Sequence, residues 1–416
     1  LAEGTTPLER AATCDIARFL YLTGDYRTAH DILQIAGTSS VSSYKILIDV
    51  LLALGRHQGA YDLAKGNRGT SPGVSAEDRL CTCTRALGHF HEARRLRLQM
   101  REAPIQPADL HELAHDHSLV GDHAMARELF QRAYMERSAG PGFSPVDVLE
   151  SWNGLAREAR LCGSYREAID LGEEAYGYGI RELTVEHHQT LLTAKDLAIA
   201  YRRNGELDAA LELGRHTEDR LRRLLGSDHP DTLAATMCVS NTLRADAVRS
   251  EPREGRSVDH LAEALMLAEA ATGRYASVLG PEHPYTHACR VDLALLHHLL
   301  GDPETALAIG TSARVGLIAS LDEEHEYVLI CDLNLRSDLA ALGRNEEAAR
   351  VGTTVRDRLA ERPVWYPHLA LAYALGEEVG DEERAEITET LRAKHPEVLT
   401  AHEGVRIDCD LDPPPL

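Results

Sequence analysis

A glycine that returns along this chain, each time at the end of an apolar helical stretch, constrains the fold more than any other feature. It stands in LYLTGDYRTA (Gly24), LLALGRHQGA (Gly55), TRALGHFHEA (Gly88), HSLVGDHAMA (Gly121), ARLCGSYREA (Gly163), AYRRNGELDAA (Gly205), HHLLGDPETA (Gly301), AALGRNEEA (Gly343) and GEEVGDEERA (Gly380). The spacings are 31, 33, 33, 42 and 42, then 96 for two units with an insertion, then 42 and 37. An alanine follows every glycine by five residues: Ala29, Ala60, Ala93, Ala126, Ala168, Ala210, Ala306, Ala348 and Ala385. Glycine supplies a left-handed turn that ends one helix, and the small alanine lets the next helix approach. Apolar residues four, seven and eight before the glycine, such as Leu51, Leu113, Leu197 and Leu293, form the packed stripe. One helix pair cannot bury both its faces, so neighbours must stack.

This helix-turn-helix unit resembles the tetratricopeptide repeat over roughly residues 8 to 390. The segment WNGLAREARLCGSYREAIDLGEEAY (152–176) carries the family's Trp, Leu-Ala pair, Gly-x-Tyr turn and two alanines. The resemblance implies an all-α, right-handed superhelical solenoid of about ten repeats. Repeats of about 33 residues occupy 1–138, and repeats of about 42 residues occupy 146–390, with a polar loop inserted near 249–259. A tail that is acidic and rich in proline closes the chain over 391–416.

The second half has a finer signature. LGSDHPDTL (225–233) and LGPEHPYTH (279–287) precede two helix pairs, with degenerate copies at VEHHQTL (185–191) and EEHEYVL (323–329). Their leading histidines are His187, His229, His283 and His325. This style resembles the 42-residue variety of kinesin light chains and of actinobacterial proteins. Pro230 and Pro284 suit the first helical position, and the residue before each is pushed into an extended conformation. That explains the histidines better than metal binding does.

HELAHDH (111–117) poses the sharpest alternative, because His-Glu-x-x-His on a helix is a zinc-hydrolase motif. Such an enzyme needs a third ligand, an open position for water and a glutamate aimed at that water. The longer HExxHxxGxxH signature fails, since Ser118 stands where glycine is required. With Gly121 at the family's turn position, Leu110, Leu113, Ala114 and His117 fall on the buried side, and the resemblance implies that His111 and His115 line the concave groove. There they are expected to gain charge below about pH 6.5. Catalytic residues, metal ligands and cofactors are therefore not expected, and the absence of GxxxxGK[ST] argues against nucleotide hydrolysis.

The same register gives the groove its expected lining. The family's concave positions hold Arg18, Lys45, Arg85, Arg157, Arg160, Lys195, Arg202, Arg203 and Arg244 over the first seven repeats, against Asp49, Asp78 and Glu150. Asn153 and Asn241 join them as candidates for holding a peptide. Later repeats contribute Val291, Leu295, Leu333, Glu377 and Glu378 instead. Nine bases against three acids reverses the ratio of the whole chain, 44 against 66. Two explanations compete: the bases bridge to acids on neighbouring helices, or they capture an acidic or C-terminal peptide segment.

Charge and composition limit the partners. A net charge of −22 argues against nucleic acid, and no apolar run reaches the roughly 18 residues of a membrane span. The first residue is Leu, as in a fragment or processed chain, and LAEGTTPLER lacks the look of a leader. Eight scattered cysteines without a CxxC pair read as reduced thiols of a cytoplasmic protein, with Cys81 and Cys83 in the core. The end, AHEGVRIDCDLDPPPL (401–416), suits an extended polyproline tail. Its acids make a second reading, in which it fills the basic groove of its own or a neighbouring molecule and drives self-association. The tail also resembles those of repeat proteins in FxSxx-COOH peptide systems, which implies a regulatory part in peptide maturation. The sequence thus predicts a protein- or peptide-binding scaffold.

Overall fold

The computed structural model describes residues 7–36, 41–66, 74–100, 107–249, 256–361, 366–376, 379–401 and 407–410. Every regular element among them is a helix. Five helix pairs come first: α1 (Pro7–Leu22) with α2 (Tyr26–Ala36), α3 (Val41–Ala53) with α4 (His57–Gly66), α5 (Val74–Ala86) with α6 (Phe90–Gln99), α7 (Pro107–Ser118) with α8 (His123–Ala139), and α9 (Pro145–Leu161) with α10 (Tyr165–Glu182). Five more follow: α11 (His188–Arg203) with α12 (Leu207–Leu225), α13 (Pro230–Arg249) with α14 (Arg256–Val278), α15 (Pro284–Leu299) with α16 (Pro303–Ser320), α17 (Glu326–Ala341) with α18 (Asn345–Glu361), and α19 (Pro367–Ala374) with α20 (Asp381–Lys394). The short α21 (Pro396–Ala401) ends the series. Each helix packs on the next, and first helices also pack on the first helices of adjacent repeats, as α9 does on α11 and α11 on α13. The molecule is an α-solenoid whose inner wall is built from the first helix of each repeat.

The turn chemistry is as expected at eight of the nine glycines. Gly24, Gly55, Gly88, Gly121, Gly163, Gly205, Gly301 and Gly343 have φ between 69° and 87°, where a side chain would be strained. At Gly121 the amide of Asp122 bonds back to the His117 carbonyl, closing the last turn of α7. The alanines from Ala29 through Ala348 are at most 5% exposed. Gly380 departs from the expectation: it is the N-cap of α20 with φ −64°, and Ala385 is exposed. The eight-residue α19 has already ended at Leu375, so the tenth unit is shorter than the spacing predicts.

The histidine signature has a structural purpose that local spacing does not reveal. The Nδ1 atoms of His187, His229, His283 and His325 accept the amides of Gln189, Asp231, Tyr285 and Tyr327 and so cap α11, α13, α15 and α17. Because Nδ1 accepts, Nε2 carries the proton. From His187, His229 and His325 it donates to the carbonyls of Leu22, Ala53 and Leu119, at 3.0, 3.0 and 3.2 Å. His283 sits likewise over Gly88, facing the Ala86 carbonyl. Each cap therefore docks on the turn of the repeat five places earlier. The superhelix closes on itself after five repeats, and its second turn stacks on its first.

At three of these joints there is room for glycine alone, whereas a Cβ on Gly24 would meet nothing within 4 Å. A Cβ on Gly55 would stand 2.8 Å from Cδ of Pro230, on Gly88 2.5 Å from Cδ of Pro284, and on Gly163 2.6 Å from Cγ of Pro367. Beside the glycines, the first residue of each second helix plugs the joint. Tyr26 donates to Nδ1 of His188 at 2.9 Å, and Phe90 meets Tyr285 with ring centroids 6.0 Å apart. His123 lies between Glu158 at 3.0 Å and Glu326 at 3.3 Å.

Candidate functional site

The inner wall divides into two halves, and the division settles where the predicted groove residues go. In the C-terminal half the groove is filled. Residues 407–410, Ile-Asp-Cys-Asp, run through it without helix or turn. Asp408 accepts from Arg202 at 2.7 Å and from Arg203 at 3.0 Å, and also from Arg244. Asp410 accepts from Arg203 at 3.1 Å and from Arg160 and Arg202. Burial alone would raise the Asp410 pKa, but Arg203, Arg160 and Arg202 override it and hold the carboxyl well below its ordinary value. Four guanidinium groups on α9, α11 and α13 thus grip two carboxylates.

The backbone of the segment is held as firmly as its charges. Asn334 donates from Nδ2 to the Ile407 carbonyl at 2.9 Å and accepts the Ile407 amide at 3.2 Å. The Cys409 amide donates to Asp292 at 2.7 Å, and the Tyr327 hydroxyl donates to the Asp410 carbonyl at 2.8 Å. Asn241 points its Nδ2 at the Cys409 carbonyl from 3.5 Å and donates more closely, at 2.9 Å, to Asp292. Burial next to Asp408 pushes Asp292 well above the usual carboxylate range. Side chains alternate as in a strand: the two aspartates meet the arginines, while Ile407 and Cys409 enter the apolar core with Val328, Leu333 and Tyr373. Of the two readings of the tail, occupation of the groove holds for 407–410. The proline run 413–415 lies outside the described residues.

The other predicted bases on buried sites, Arg85, Arg157 and Lys195, belong to internal networks. Arg85, fully buried, pairs with Glu112 at 2.8 Å and Asp116 at 2.9 Å. Lys195 pairs with Asp196 at 2.7 Å, and Asn153 donates to Asp196 at 2.8 Å. Arg157 pairs with Glu158 at 3.3 Å and lies over the Phe130 ring. Arg18 is exposed and Lys45 half-buried, outside both the clamp and these networks. Between the two turns remains a cavity of about 60 Å³, lined by Tyr26, His111, His115, Glu150, Asn153 and Lys195 among others. It has room for a few water molecules, not for a peptide. Glu377 and Glu378 lie outside the described residues, and Val291, Leu295 and Leu333 are core.

HELAHDH is corrected in two respects. His111 and His115 do line the cavity, but each is 3% exposed. They form a relay in which Arg157 donates to Nδ1 of His115, Nε2 of His115 to Nε2 of His111, and Nδ1 of His111 to the Ser151 hydroxyl, at 3.1, 3.2 and 3.1 Å. Burial first, then Arg137 for His111 and the His111–Arg157 surroundings for His115, push both rings well below their ordinary pKa. They stay neutral where charging was expected. Glu112 faces away, into Arg85 and Arg97, which hold it ionised against the effect of burial. A glutamate locked into two guanidinium groups is not aimed at a metal-bound water. Among the described residues no three His, Cys, Asp or Glu side chains converge as a metal site.

Residues 190–231, spanning α11, α12 and the start of α13, match the family model of the tetratricopeptide repeat. That stretch is a tetratricopeptide repeat by its sequence. A search of curated proteins returns no match. Among solved structures, the array is similar to the kinesin light chain nearly identical TPR-like repeats of Podosopora anserina, at 26% identity over 52% of this chain and 97% of that one, with a TM-score of 0.39. It is also similar to a Rap protein complexed with Competence and Sporulation Factor (10% identity, 95% and 99% covered, TM-score 0.49) and to NprR with its cognate peptide NprX (12%, 76% and 89%, TM-score 0.48).

The register reading missed Asp292, Asn334 and Tyr327. Yet a signal for the first two exists: Glu112, Asp196, Asp292 and Asn334 each stand nine residues before a turn glycine of the tetratricopeptide array. That position lies one residue beyond those read as groove-facing, and in the tightly wound superhelix it faces the interior too.

Proposed function

We propose that the protein is a peptide-capture scaffold that holds an extended acidic segment of a partner in the C-terminal half of its inner groove. The observation that carries this reading is the hold on residues 407–410: arginines for alternate carboxylates and Asn334, Asp292 and Tyr327 for the main chain. Main-chain contacts supply affinity to any extended chain, and the alternate pockets supply specificity. Charge-assisted contacts to Arg forks are the stronger kind of hydrogen bond. The cytoplasm suits such a protein, since all eight cysteines are free thiols, and among the described residues no helix is long and apolar enough to cross a membrane.

The test is fluorescence anisotropy with a labelled peptide of alternating aspartates and small apolar residues, titrated to millimolar concentration. Binding is expected to weaken as salt rises and to fall at least tenfold in Arg160→Gln/Arg244→Gln. Binding that ignores both salt and these arginines overturns the reading.

A further inference from the structure

We propose that the segment Ile407–Asp410 is an internal competitor, and that the partner carries the same apolar-acid-apolar-acid pattern and binds by displacing it. This inference rests on the peptide-capture reading and adds the recognition code and its regulation.

Three observations carry it. The first is charge. Arg160, Arg202, Arg203 and Arg244 are each at most 9% exposed with the segment in place. When the segment leaves, the cluster loses two carboxylates that its guanidinium groups bind, and four neighbouring cations stand in a groove newly open to water. Mutual repulsion of those cations favours refilling by a dianionic occupant, whether internal or external. The second is spacing. Carboxylates two residues apart on an extended chain project to the same side, and Arg202 and Arg203 each touch both of them. Adjacent acids would point to opposite sides and present only one charge to the clamp. The third is the other face of the strand. Ile407 is 5% exposed and Cys409 fully buried, so the groove reads a branched aliphatic side chain and then a small one. Asn334 meanwhile pairs with both main-chain groups of residue 407 and places no demand on its side chain.

The competitor is joined to α21 by only five residues. Short tethers give effective concentrations on the order of millimolar, so a free peptide of the same sequence is held off until the internal copy is weakened.

The experiment uses the full chain and a labelled peptide, RIDCDL, identical to residues 406–411, in reducing buffer. Asp408→Asn/Asp410→Asn is expected to bind it at least tenfold more tightly than the unaltered protein, and RICDDL, with its acids adjacent, to bind at least tenfold more weakly. Ile407→Lys evicts the segment without touching any charge of the clamp and is expected to give the same gain, which keeps the test open if the double variant folds poorly. Equal affinity of the unaltered chain and a folded variant overturns the internal competitor and leaves peptide capture standing. No binding to any folded variant overturns both. A dimer in sedimentation that Ile407→Lys dissolves shows that the segment acts between molecules and overturns the proposal.

Discussion

The turns of repeats one to five and those of repeats six, eight and nine share a glycine in the same conformation, yet the residue two places further on differs completely. In the first set it is Tyr26, His57, Phe90, His123 or Tyr165, all buried. In the second it is Leu207, Pro303 or Asn345, half-buried or exposed. The first set is roofed by the following superhelical turn, whereas among the described residues Gly301 and Gly343 have nothing within 4 Å of a Cβ and Gly205 meets only the Arg249 side chain. Environment, not repeat identity, chooses that residue. An aromatic or imidazole ring spans the joint between turns and finds a partner across it, whereas the outer turn needs only a residue that starts a helix.

The largest expected effect comes from emptying a joint. Phe90→Ala removes a ring packed against Tyr285 and is expected to cost about 3–5 kcal/mol in urea unfolding, whereas Leu207→Ala stays within about 1 kcal/mol; similar losses would break the comparison. Next come the glycines. Gly88→Ala combines a left-handed backbone with a methyl pressed on Pro284 and is expected to lose about 2–4 kcal/mol. Gly301→Ala, with nothing within 4 Å, should lose about 1–2 kcal/mol from the backbone alone.

The smallest effect is graded with pH. Burial lowers His187, His229 and His325, His229 to about 4. In the unfolded chain these rings take up protons below about pH 6.5, while the caps resist. Their contribution is present above that pH and is lost as pH falls toward 4, seen as a falling urea midpoint. His123 has the opposite sign. Burial would lower it, but Glu326 and Glu158 raise it to about 10, so its contribution is full below pH 6.5 and is lost as pH climbs toward 10. Asn at position 123 should remove the alkaline limb and leave the acid one.

Much of this was legible. Gly24 through Gly343, their alanines and the prolines at 230 and 284 gave the helix pairs, because turns and caps are local chemistry. The number of repeats per superhelical turn is a sum of small rotations, and no single residue encodes it. Without it, His187 and His325 read only as helix starts, although the rings after Gly24, Gly55, Gly88, Gly121 and Gly163 were visible. Of the residues that register placed in the groove, Arg160, Arg202, Arg203, Asn241 and Arg244 lie against 407–410, but Arg85, three before its glycine like Arg160 and Arg202, serves an internal ion pair, as does Lys195. Which arginines were spoken for depended on Asp116, Asp196 and Asp408, and the last of these lies 164 to 206 residues from its partners.

The joints also impose an order on synthesis. The ring of Tyr26 meets His188, and the carbonyl of Leu22 meets His187, 162 and 165 residues later. At about 5–20 residues per second, the first five repeats wait roughly ten to thirty seconds with their joint-facing rings open. A stacked array of this kind adds its repeats one by one but reaches its final protection only when the ribosome has delivered the upper tier. A stalled or truncated chain would therefore expose a row of aromatic and imidazole side chains, a natural flag for the chaperones and proteases that sort nascent proteins.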